Sequence, residues 1–488
     1  MSYFAWLFLV IWLQDVATTS VNVVQLPLRT VEMLTLAAND SVHLTLDQIP
    51  GPGDAFWTFE AHSQDNNDIL RFRQGSVQKK RFQVENHPGM IYFRESLPEN
   101  HTKPEVILDN LSHRDVTLVL VARNYSAKHP VPGLASNSTQ GNALNLTYDG
   151  DVVTLDFSLG KALNSSGGES GPILTYSIYQ HYLTERDYDQ DRFLSELSTS
   201  MLQLDDIIDN GQLVDPAFIS KSRESKSKIV FSSYPGTAVI FSVIVTTTYQ
   251  NANDTKAQVF SSLYATTSTY GCQFDKNKVL SCQTIWATIT KILCGCSIFA
   301  GIFIAFFGHR YYQAYQFIAG AYATGICAFI AITLAMQSSY TEKVGLAMAV
   351  GVIGAFLWVI IWYLFGIPLL STALPVASMG LIIGATFVFL PPLNTASMAS
   401  DTLYWLTIAA FIVGCLLAVL PFTKTASMLS AVILGSFLCI IPLDHYIGSS
   451  LKYILVNLIR RSNVTGFNLA VLYFPFQVSL TYISLTPW

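Results

Sequence analysis

Residues 344–364 read VGLAMAVGVIGAFLWVIIWYL, an apolar stretch without a single charged side chain. A helix of about 20 such residues is long enough to cross the roughly 30 Å hydrocarbon core of a bilayer. Five further runs have similar length and composition, and none has Asp, Glu, Arg or His within its core; they are 285–307, 314–336, 367–390, 403–420 and 425–443. The sequence therefore predicts a bundle of six transmembrane helices, and residues 467–488 are a weak candidate for a seventh.

Charged residues are distributed unevenly along the 488-residue chain. Of the 61 Asp, Glu, Lys and Arg side chains, 51 lie in residues 1–285 and only ten in the last 203 residues. A water-facing domain thus comes first, and a domain that faces the lipid bilayer follows. Proton relays and voltage sensors are disfavoured because they need ionisable groups within the spans. Nucleic acid is not an expected partner, since no dense cluster of Lys and Arg is present.

The N-terminal sequence predicts that the protein enters the secretory pathway. Tyr3 to Leu13 is an apolar run too short to span a bilayer as a helix, and small polar residues follow it. We interpret residues 1–20 as a signal peptide, with an uncleaved anchor as the alternative. Nine N-x-S/T sequons agree with an extracellular or lumenal domain that carries glycans. They begin at Asn39, Asn100, Asn110, Asn124, Asn137, Asn145, Asn164, Asn253 and Asn463.

From residue 21 to about 270 the pattern is typical of β-structure. Segments such as 116–123 and 237–249 are rich in β-branched and aromatic residues, with Gly, Pro, Asn and Ser between them. One helix is predicted where apolar residues recur at helical spacing, at Phe193, Leu194, Leu197, Met201 and Leu204. A linker or long loop at 128–145 divides the region. The sequence therefore predicts a β-rich, sandwich-like ectodomain with two modules.

The remaining segments complete the predicted order. Residues 451–461 form a short amphipathic helix with Leu451, Ile454, Leu455 and Leu458 on one face, which we expect to lie along the membrane surface. The domains are then a signal peptide at 1–20, β-rich modules at 21–150 and 151–284, six transmembrane helices at 285–443, an outer loop with the amphipathic helix at 444–466, and a weak or truncated seventh transmembrane segment at 467–488.

The outer loop is basic, which the positive-inside tendency does not predict. If the β-rich region lies outside the cell or in a lumen, the loop at 444–466 lies on the same side, and it carries Lys452, Arg460 and Arg461. That tendency places Lys and Arg mainly in cytoplasmic loops. The orientation nevertheless follows from the signal peptide and the sequons, because the charge difference rests on only two or three residues.

Two cysteines precede the first span, Cys272 and Cys282. In an oxidising compartment a pair ten positions apart is most simply a disulfide, and it would constrain the chain where it enters the bilayer. The remaining cysteines lie in apolar runs, where buried inert thiols are expected. Asp187, Asp189 and Asp191 resemble the start of a calcium-binding loop, but this sequence lacks the Gly and Glu that an EF-hand requires at later positions of the loop. We therefore interpret the three aspartates as acidic residues that precede the following helix and interact favourably with its dipole. No catalytic, metal-binding or cofactor-binding motif emerges.

Small residues recur every fourth position in two spans. Ala347, Gly351 and Ala355 form one stripe, and Gly380 and Gly384 form another. Such stripes let helix backbones approach closely. We expect them to pack helices within one chain, with a homodimer as the alternative.

Several short motifs in order resemble the transmembrane 7 superfamily member 3 family, an orphan multispan family. They are SIYQHYLTERD at 177–187, the cysteine pair after Tyr270, FFGHR at 306–310, FGI at 365–367, PLN at 392–394, SLKYILVNLIRR at 450–461 and FPFQ at 474–477. In that family a long apolar seventh span and a basic tail follow the last motif. Here only VSLTYISLTPW follows, so we expect a truncated segment or a C-terminus that stays outside.

The resemblance implies a signal peptide, a glycosylated ectodomain, seven spans and residence in the plasma membrane or another membrane of the secretory pathway. It also implies a role in cell survival through attenuation of endoplasmic-reticulum stress, without enzymatic activity. An orphan receptor or adhesion protein, whose ectodomain binds an extracellular or lumenal protein or ligand, is the first alternative. Transport of an uncharged or lipid substrate is the second, and it would need a polar cavity among the spans.

Overall fold

The structure is a computed structural model of the whole chain, and it describes the placement of most of its residues. These are 22–48, 53–65, 67–73, 89–95, 105–133, 140–141, 144–149, 151–162, 173–216, 219–221, 226–249, 258–272, 288–336, 338–389, 400–448, 451–464 and 466–472. The predicted signal peptide and four sequons, Asn100, Asn137, Asn164 and Asn253, lie outside the described residues.

The first module is a β-sandwich. One sheet has the order β1 (Asn22–Leu26), β3 (Ser41–Leu46), β7 (Glu105–Asn110), β5 (Leu70–Arg73), and β1 runs parallel to β3. The other has the order β10 (Gln140–Gly141), β6 (Gly89–Glu95), β4 (Asp54–His62), β8 (Val116–Ser126), β2 (Val31–Leu36). Alternate residues of both sheets point inwards, as in Leu44, Phe59 and Leu118, and form one apolar core.

The second module is also a β-sandwich. Its first sheet has the order β11 (Leu144–Asp149), β12 (Val152–Ser158), β17 (Lys226–Ser232), β16 (Ser220–Lys221), with β21 (Ala470–Val471) added to β17. The second has the order β15 (Gln212–Leu213), β14 (Ile173–Glu185), β18 (Thr237–Tyr249), β19 (Gln258–Leu263), with β20 (Thr267–Thr269) added to β18. The rings of Phe231 and Phe241 meet in its core, with centroids 4.5 Å apart.

Two short helices and one strand pair connect the modules. β9 (Pro130–Val131) pairs with β13 (Lys161–Ala162), and α1 (Gln190–Ser200) and α2 (Leu204–Asn210) follow β14. Phe193 and Leu197 of α1 pack against Val121 of the first module and Ile240 of the second. The apolar residues predicted to form one helix therefore lie in two helices and, for Met201, in the turn between them, and they form the core between the sandwiches.

A buried ion pair strengthens this contact between modules. The guanidinium of Arg123 on β8 donates to the Glu60 carboxylate on β4 and to the carbonyl of Leu202, between α1 and α2. His62 lies beside Glu60 with its Nε2 3.3 Å from Oε2. Both Arg123 and Glu60 are almost fully buried, so the pair has little contact with water.

Six long apolar helices form the second half of the molecule. They are α3 (Thr288–Phe307), α4 (Tyr312–Ala335), α5 (Tyr340–Phe365), α6 (Pro368–Phe389), α7 (Asp401–Val419) and α8 (Thr423–Ile447). The main contacts join α3 to α8, α4 to α5, α6 to α7, and α6 to α8. Each is long and apolar enough to cross a membrane. The prediction of a β-rich region followed by at least six membrane helices is confirmed.

The small-residue stripes lie where these helices meet. A Cβ at Gly351 of α5 would lie 2.8 Å from the carbonyl oxygen of Ala321 on α4, and one at Gly380 of α6 would lie 2.7 Å from the Cα of Ile412 on α7. Ala347, Ala355 and Gly384 are likewise buried. Both stripes thus face helices of this same chain, which agrees with the intramolecular interpretation of the pattern.

One domain boundary differs from the prediction, and so does the environment of one helix. β11 pairs with β12 over Leu144–Asp149, so the second sandwich begins before residue 151. The short helix α9 (Lys452–Asn463) is covered on both sides: Lys452, Asn457 and Arg460 on its polar side are buried, as are Ile454 and Leu458. The physical reason is that the second sandwich covers the polar side of α9, while the helix bundle packs on its apolar side.

Candidate functional site

The helix α9 lies between the second sandwich and the helix bundle. We use the word junction for α9 together with the turn at 233–236 between β17 and β18 and the adjoining ends of α6, α7 and α8. The apolar side of α9, with Ile454 and Leu458, packs against Val388 of α6 and Ile408 of α7. Because its other side meets the sandwich, α9 connects the two halves of the molecule.

The start of α9 is fixed by the helix before it. At the end of α8 the chain reverses through Gly448, whose φ of +84° favours glycine. The Asp444 carboxylate then accepts a hydrogen bond from the backbone N–H of Lys452 at 2.9 Å. A negative charge is favourable at the N-terminus of a helix, where the first N–H groups lack partners. Asp444 therefore orients α9 relative to α8.

A buried ion pair joins α9 to the sandwich. Nζ of Lys452 lies 2.5 Å from Oε2 of Glu185 at the end of β14, and each side chain is about 5% exposed. Burial raises the pKa of Glu185, while the Lys452 ammonium acts in the opposite direction. A carboxylate and an ammonium removed from water depend on each other, since either one alone would remain buried and uncompensated.

Arg460, about two turns after Lys452 in α9, forms a second group of contacts. Its Nε donates to Asp151 at 2.9 Å, and its Nη1 donates to the hydroxyl of Ser232 at 3.2 Å and to the carbonyl of Ser233. The Ser232 hydroxyl in turn donates to Oδ1 of Asn457 at 3.0 Å. The charge-assisted hydrogen bonds of the planar Arg460 guanidinium fix both the orientation of the sandwich on α9 and the distance between the sandwich and α9.

Three tyrosines fill the space between these polar groups. The ring of Tyr234 packs edge-to-face on Tyr453 of α9 with centroids 4.5 Å apart, and on Tyr182 of β14 at 5.7 Å. Burial raises the pKa of all three phenols well above its ordinary value, so they stay neutral. Aromatic pairs of this geometry stabilise a contact beyond the area they bury.

The last turn of α9 contacts α7. Nε of Arg461 donates to Asp401 at 2.8 Å, and its guanidinium lies over the ring of Tyr404, 4.5 Å from the centroid. After α9 the chain forms a turn of 3₁₀-helix at Phe467–Leu469, and β21 then pairs with β17 in parallel. Residues 467–471 thus belong to the sandwich, whereas 473–488, the rest of the predicted seventh segment, lie outside the described residues.

The junction gives a physical reason for the basic residues of the loop at 444–466. Lys452, Arg460 and Arg461 pair with Glu185, Asp151 and Asp401. Sequence reasoning identified the three cations as an exception but missed their carboxylate partners, because the pairs are far apart in the chain. One signal was present: SIYQHYLTERD contains Glu185 and SLKYILVNLIRR contains Lys452, so two of the motifs that carried the resemblance meet in the structure.

Comparisons with known proteins cover both sides of the junction. The family model described as TM7SF3-like, second immunoglobulin-like domain, matches residues 130–275, and the TM7S3/TM198-like domain matches residues 294–488. The chain is 26% identical over 456 residues to Transmembrane 7 superfamily member 3 of Rattus norvegicus, covering 89% of this chain and 76% of the relative.

The chain belongs to the transmembrane 7 superfamily member 3 family. Transmembrane 7 superfamily member 3 of Homo sapiens is 24% identical to this chain over 447 residues, covering 89% of this chain and 75% of that protein. The one from Mus musculus is 26% identical over 454 residues, with 89% and 76% covered. The matched regions include the second sandwich, the bundle and α9, so the residues of the junction lie within them.

The described sequons differ in their surroundings. Asn39 and Asn145 are exposed, whereas Asn110 is fully buried and its Nδ2 donates to the carbonyls of Leu36, Ala37 and Arg114. Nδ2 of Asn124 donates to Asp54 at 2.9 Å, and both amide atoms of Asn463 are buried. A glycan on Asn110 or Asn463 does not fit these positions, because the amide nitrogen that would carry it is enclosed.

The cysteines divide into two groups. Cys272 is buried and disulfide-bonded, and Cys282, its predicted partner, lies outside the described residues. Cys294, Cys296, Cys327, Cys415 and Cys439 are free. In the part of the chain that the structure describes, no group of three His, Cys, Asp or Glu side chains is arranged to hold a metal ion.

Proposed function

We propose that this protein is a non-enzymatic membrane protein that promotes cell survival by attenuating endoplasmic-reticulum stress, and that its ectodomain and bundle act as one unit. Its site of action is the plasma membrane or a membrane of the secretory pathway, with the ectodomain on the extracellular or lumenal side. The family membership motivates the stress role. The observation that carries the mechanism is the buried pair of Lys452 and Glu185.

The buried contacts of the junction support coupling between the ectodomain and the bundle. A sandwich attached by a flexible stalk could bind a partner without affecting the bundle. Here Arg460 and Tyr453 are buried against residues of the turn at 233–236 and its neighbours, so a movement of the sandwich changes the packing of α9. α9 also contacts α6 and α7. A binding event on the ectodomain therefore has a physical route to the membrane helices.

The experiment uses cells in which the endogenous family member has been deleted. They are complemented with the wild-type chain, with the junction variant Arg460→Glu, or with the control Lys424→Glu, which alters an exposed charge at the opposite end of the bundle. Stress is induced with a calcium-pump inhibitor, because agents that block N-glycosylation would also alter the ectodomain. Reporter induction, survival and surface expression are measured together.

We expect the wild-type chain and Lys424→Glu to lower stress-reporter induction and raise survival, and Arg460→Glu to do neither at equal surface expression. The stress role fails if the wild-type chain leaves both readouts unchanged. The coupling mechanism fails if Arg460→Glu, present at the surface in equal amount, protects cells as well as the wild type does.

A further inference from the structure

A cavity of about 500 Å³ lies beside α9 at the end of the bundle that faces the sandwiches. Its walls come from α3, α4, α5, α8 and α9, and Tyr148 and Pro235 of the second sandwich also contribute. The volume is within the range of about 300–1,000 Å³ that is usual for small-molecule sites. The cavity belongs to neither half alone, because the sandwich covers the opening between the helix ends.

The walls of the cavity are mainly apolar. Leu455 and Ile459 of α9, Ile441 of α8 and Phe329 of α4 form a surface suited to a hydrocarbon chain. Polar residues are about as numerous as apolar ones, and they are Asp151, Thr290, Thr333, Lys343, His445, Lys452, Arg460 and Asn463. A wall whose exposed area is largely apolar, with polar groups at defined positions, is typical of a site for an amphiphilic ligand.

Two of these polar residues have buried atoms without partners. In the described structure Oγ1 of Thr333 and both amide atoms of Asn463 are buried and make no hydrogen bond. Thr333 differs in this from Thr324 and Thr386, whose hydroxyls donate to the carbonyl four residues earlier in their own helices. Buried polar groups are nearly always paired, with protein, water or a ligand. Both residues line the cavity, so a molecule bound there can supply the missing hydrogen bonds once their side chains turn toward it.

The charge of the missing partner follows from the cations around the cavity. Lys452 and Arg460 already pair with Glu185 and Asp151. Lys343 has no carboxylate within 4 Å among the residues that the structure describes, so it is the cation that remains for a ligand. One uncommitted ammonium beside hydrogen-bonding side chains favours a single small anionic group.

The depth of Lys343 fits the headgroup region of a bilayer. It lies in the first turn of α5, which has 26 residues. A helix of that length extends about 39 Å, and the hydrocarbon core is about 30 Å thick. The first turn therefore reaches the polar interface, while Leu455, Ile459 and Ile441 provide an apolar surface beside it.

We propose that this cavity binds a single-chain amphiphile with one small anionic headgroup, either a carboxylate or a phosphate. Lys343 pairs with the headgroup, and Thr333 and Asn463 hydrogen-bond to it. The acyl chain lies against Leu455 and Ile459 of α9. Ligand binding in this position adds contacts between the bundle and α9, so it stabilises the junction. The inference is independent of the role in stress, and either can fail without the other.

The test uses the full chain, purified in a neutral detergent, with three probes. Oleate supplies a carboxylate, lysophosphatidate a phosphate, and lysophosphatidylcholine the same type of chain with a zwitterionic headgroup. Native mass spectrometry measures the stoichiometry, and the shift of the melting temperature measures affinity. We expect one molecule of oleate or of lysophosphatidate to bind and stabilise the protein, and the stronger of the two identifies the headgroup. Equal binding of all three probes would overturn the proposal.

Matched variants locate the site. Lys343→Gln should weaken binding of the anionic probe about tenfold or more, as expected for the loss of a charge-assisted contact, whereas Lys424→Gln at the other end of the bundle should leave it unchanged. Thr333→Val should also weaken binding, whereas Thr407→Val, at a threonine that is partly exposed and bonds within its own helix, should not. If Lys343→Gln and Thr333→Val both bind the probe like the wild type, the cavity is not the site.

A misfolded variant cannot be mistaken for a positive result. Thr333→Val replaces a hydroxyl that has no partner with a group of similar shape, so its melting temperature without ligand should equal or exceed that of the wild type. Ile459→Trp fills the cavity from α9 and should abolish binding of the anionic probe. If a folded Ile459→Trp protein still binds the anionic probe, the acyl chain of the ligand does not lie at the proposed position against α9.

Discussion

At the scale of single residues, the molecule is characterised by buried charges that pair across large sequence separations. Lys452 with Glu185 connects the bundle to the sandwich, and Arg123 with Glu60 lies at the contact between the two sandwiches. Burying such charges is unfavourable unless the geometry and additional hydrogen bonds compensate. Their presence therefore marks contacts that depend on specific partners and not only on apolar area.

Removing one member of the junction pair should be strongly destabilising. Glu185→Gln leaves the Lys452 ammonium buried without its counter-charge, and the loss of one partner of a buried pair destabilises a protein by about 3–5 kcal/mol. We expect a clear fall in the melting temperature of the purified full chain. Glu32→Gln, at an exposed carboxylate on β2, is the matched control and should have almost no effect.

A double variant separates the pair from its surroundings. Glu185→Leu together with Lys452→Met removes both charges and keeps apolar volume, so it should be less destabilising than Glu185→Gln alone. If the loss of stability in the double variant equals the sum of the losses in Glu185→Leu and Lys452→Met, the two side chains are not coupled and the pair does not form.

The pair at the contact between sandwiches predicts a dependence on pH. Burial opposes ionisation of Glu60, but Arg123 and His62 prevail and lower its pKa in the folded protein. A carboxyl group with a lowered folded pKa stabilises the protein above its unfolded pKa of about 4.3, and this contribution disappears as the pH falls through the folded value. The melting temperatures of the wild type and Glu60→Gln should therefore differ most near neutral pH and converge below about pH 4.

At the scale of elements, α9 shows what an amphipathic pattern can and cannot predict. Its apolar face was identified correctly, and Ile454 and Leu458 pack on the bundle. Its polar face was assigned to water, since a basic amphipathic helix beside membrane spans usually lies at the interface. The structure buries that face because carboxylates such as Glu185 approach from strands more than 200 residues earlier. No local pattern contains that information.

The paired helices α4 and α5 offer a test of the small-residue stripe. At Gly351 a Cβ would lie 2.8 Å from a backbone oxygen of α4, whereas at Gly345, on the same helix, it would meet no described atom within 4 Å. Gly351→Ala should therefore separate the helices and lower the melting temperature. Gly345→Ala should leave it unchanged or raise it, since alanine favours the helix by about 1 kcal/mol. Equal effects at the two positions would argue against the close approach.

At the scale of the whole molecule, the sequence predicted the parts better than their arrangement. The strands at Val116–Ser126 and Thr237–Tyr249 and the six membrane helices were evident, because alternation and long apolar runs are local signals. The pairing of β21 with β17, and the contact of α9 with the sandwich, were not predicted. They depend on tertiary packing between segments that the chain order separates, and a single sequence does not encode such packing locally.

The most direct test of the junction is a cross-link between its two sides. Oγ of Ser232 on β17 and Oδ1 of Asn457 on α9 are 3.0 Å apart. Ser232→Cys with Asn457→Cys is introduced into a chain whose five free cysteines are replaced by alanine, and intact membranes are treated with a short bifunctional methanethiosulfonate. We predict an intramolecular cross-link, found by mass spectrometry, in this pair but not in Ser232→Cys with Lys424→Cys. If the two introduced thiols of the first pair each react singly and never become linked, the sandwich does not rest on α9.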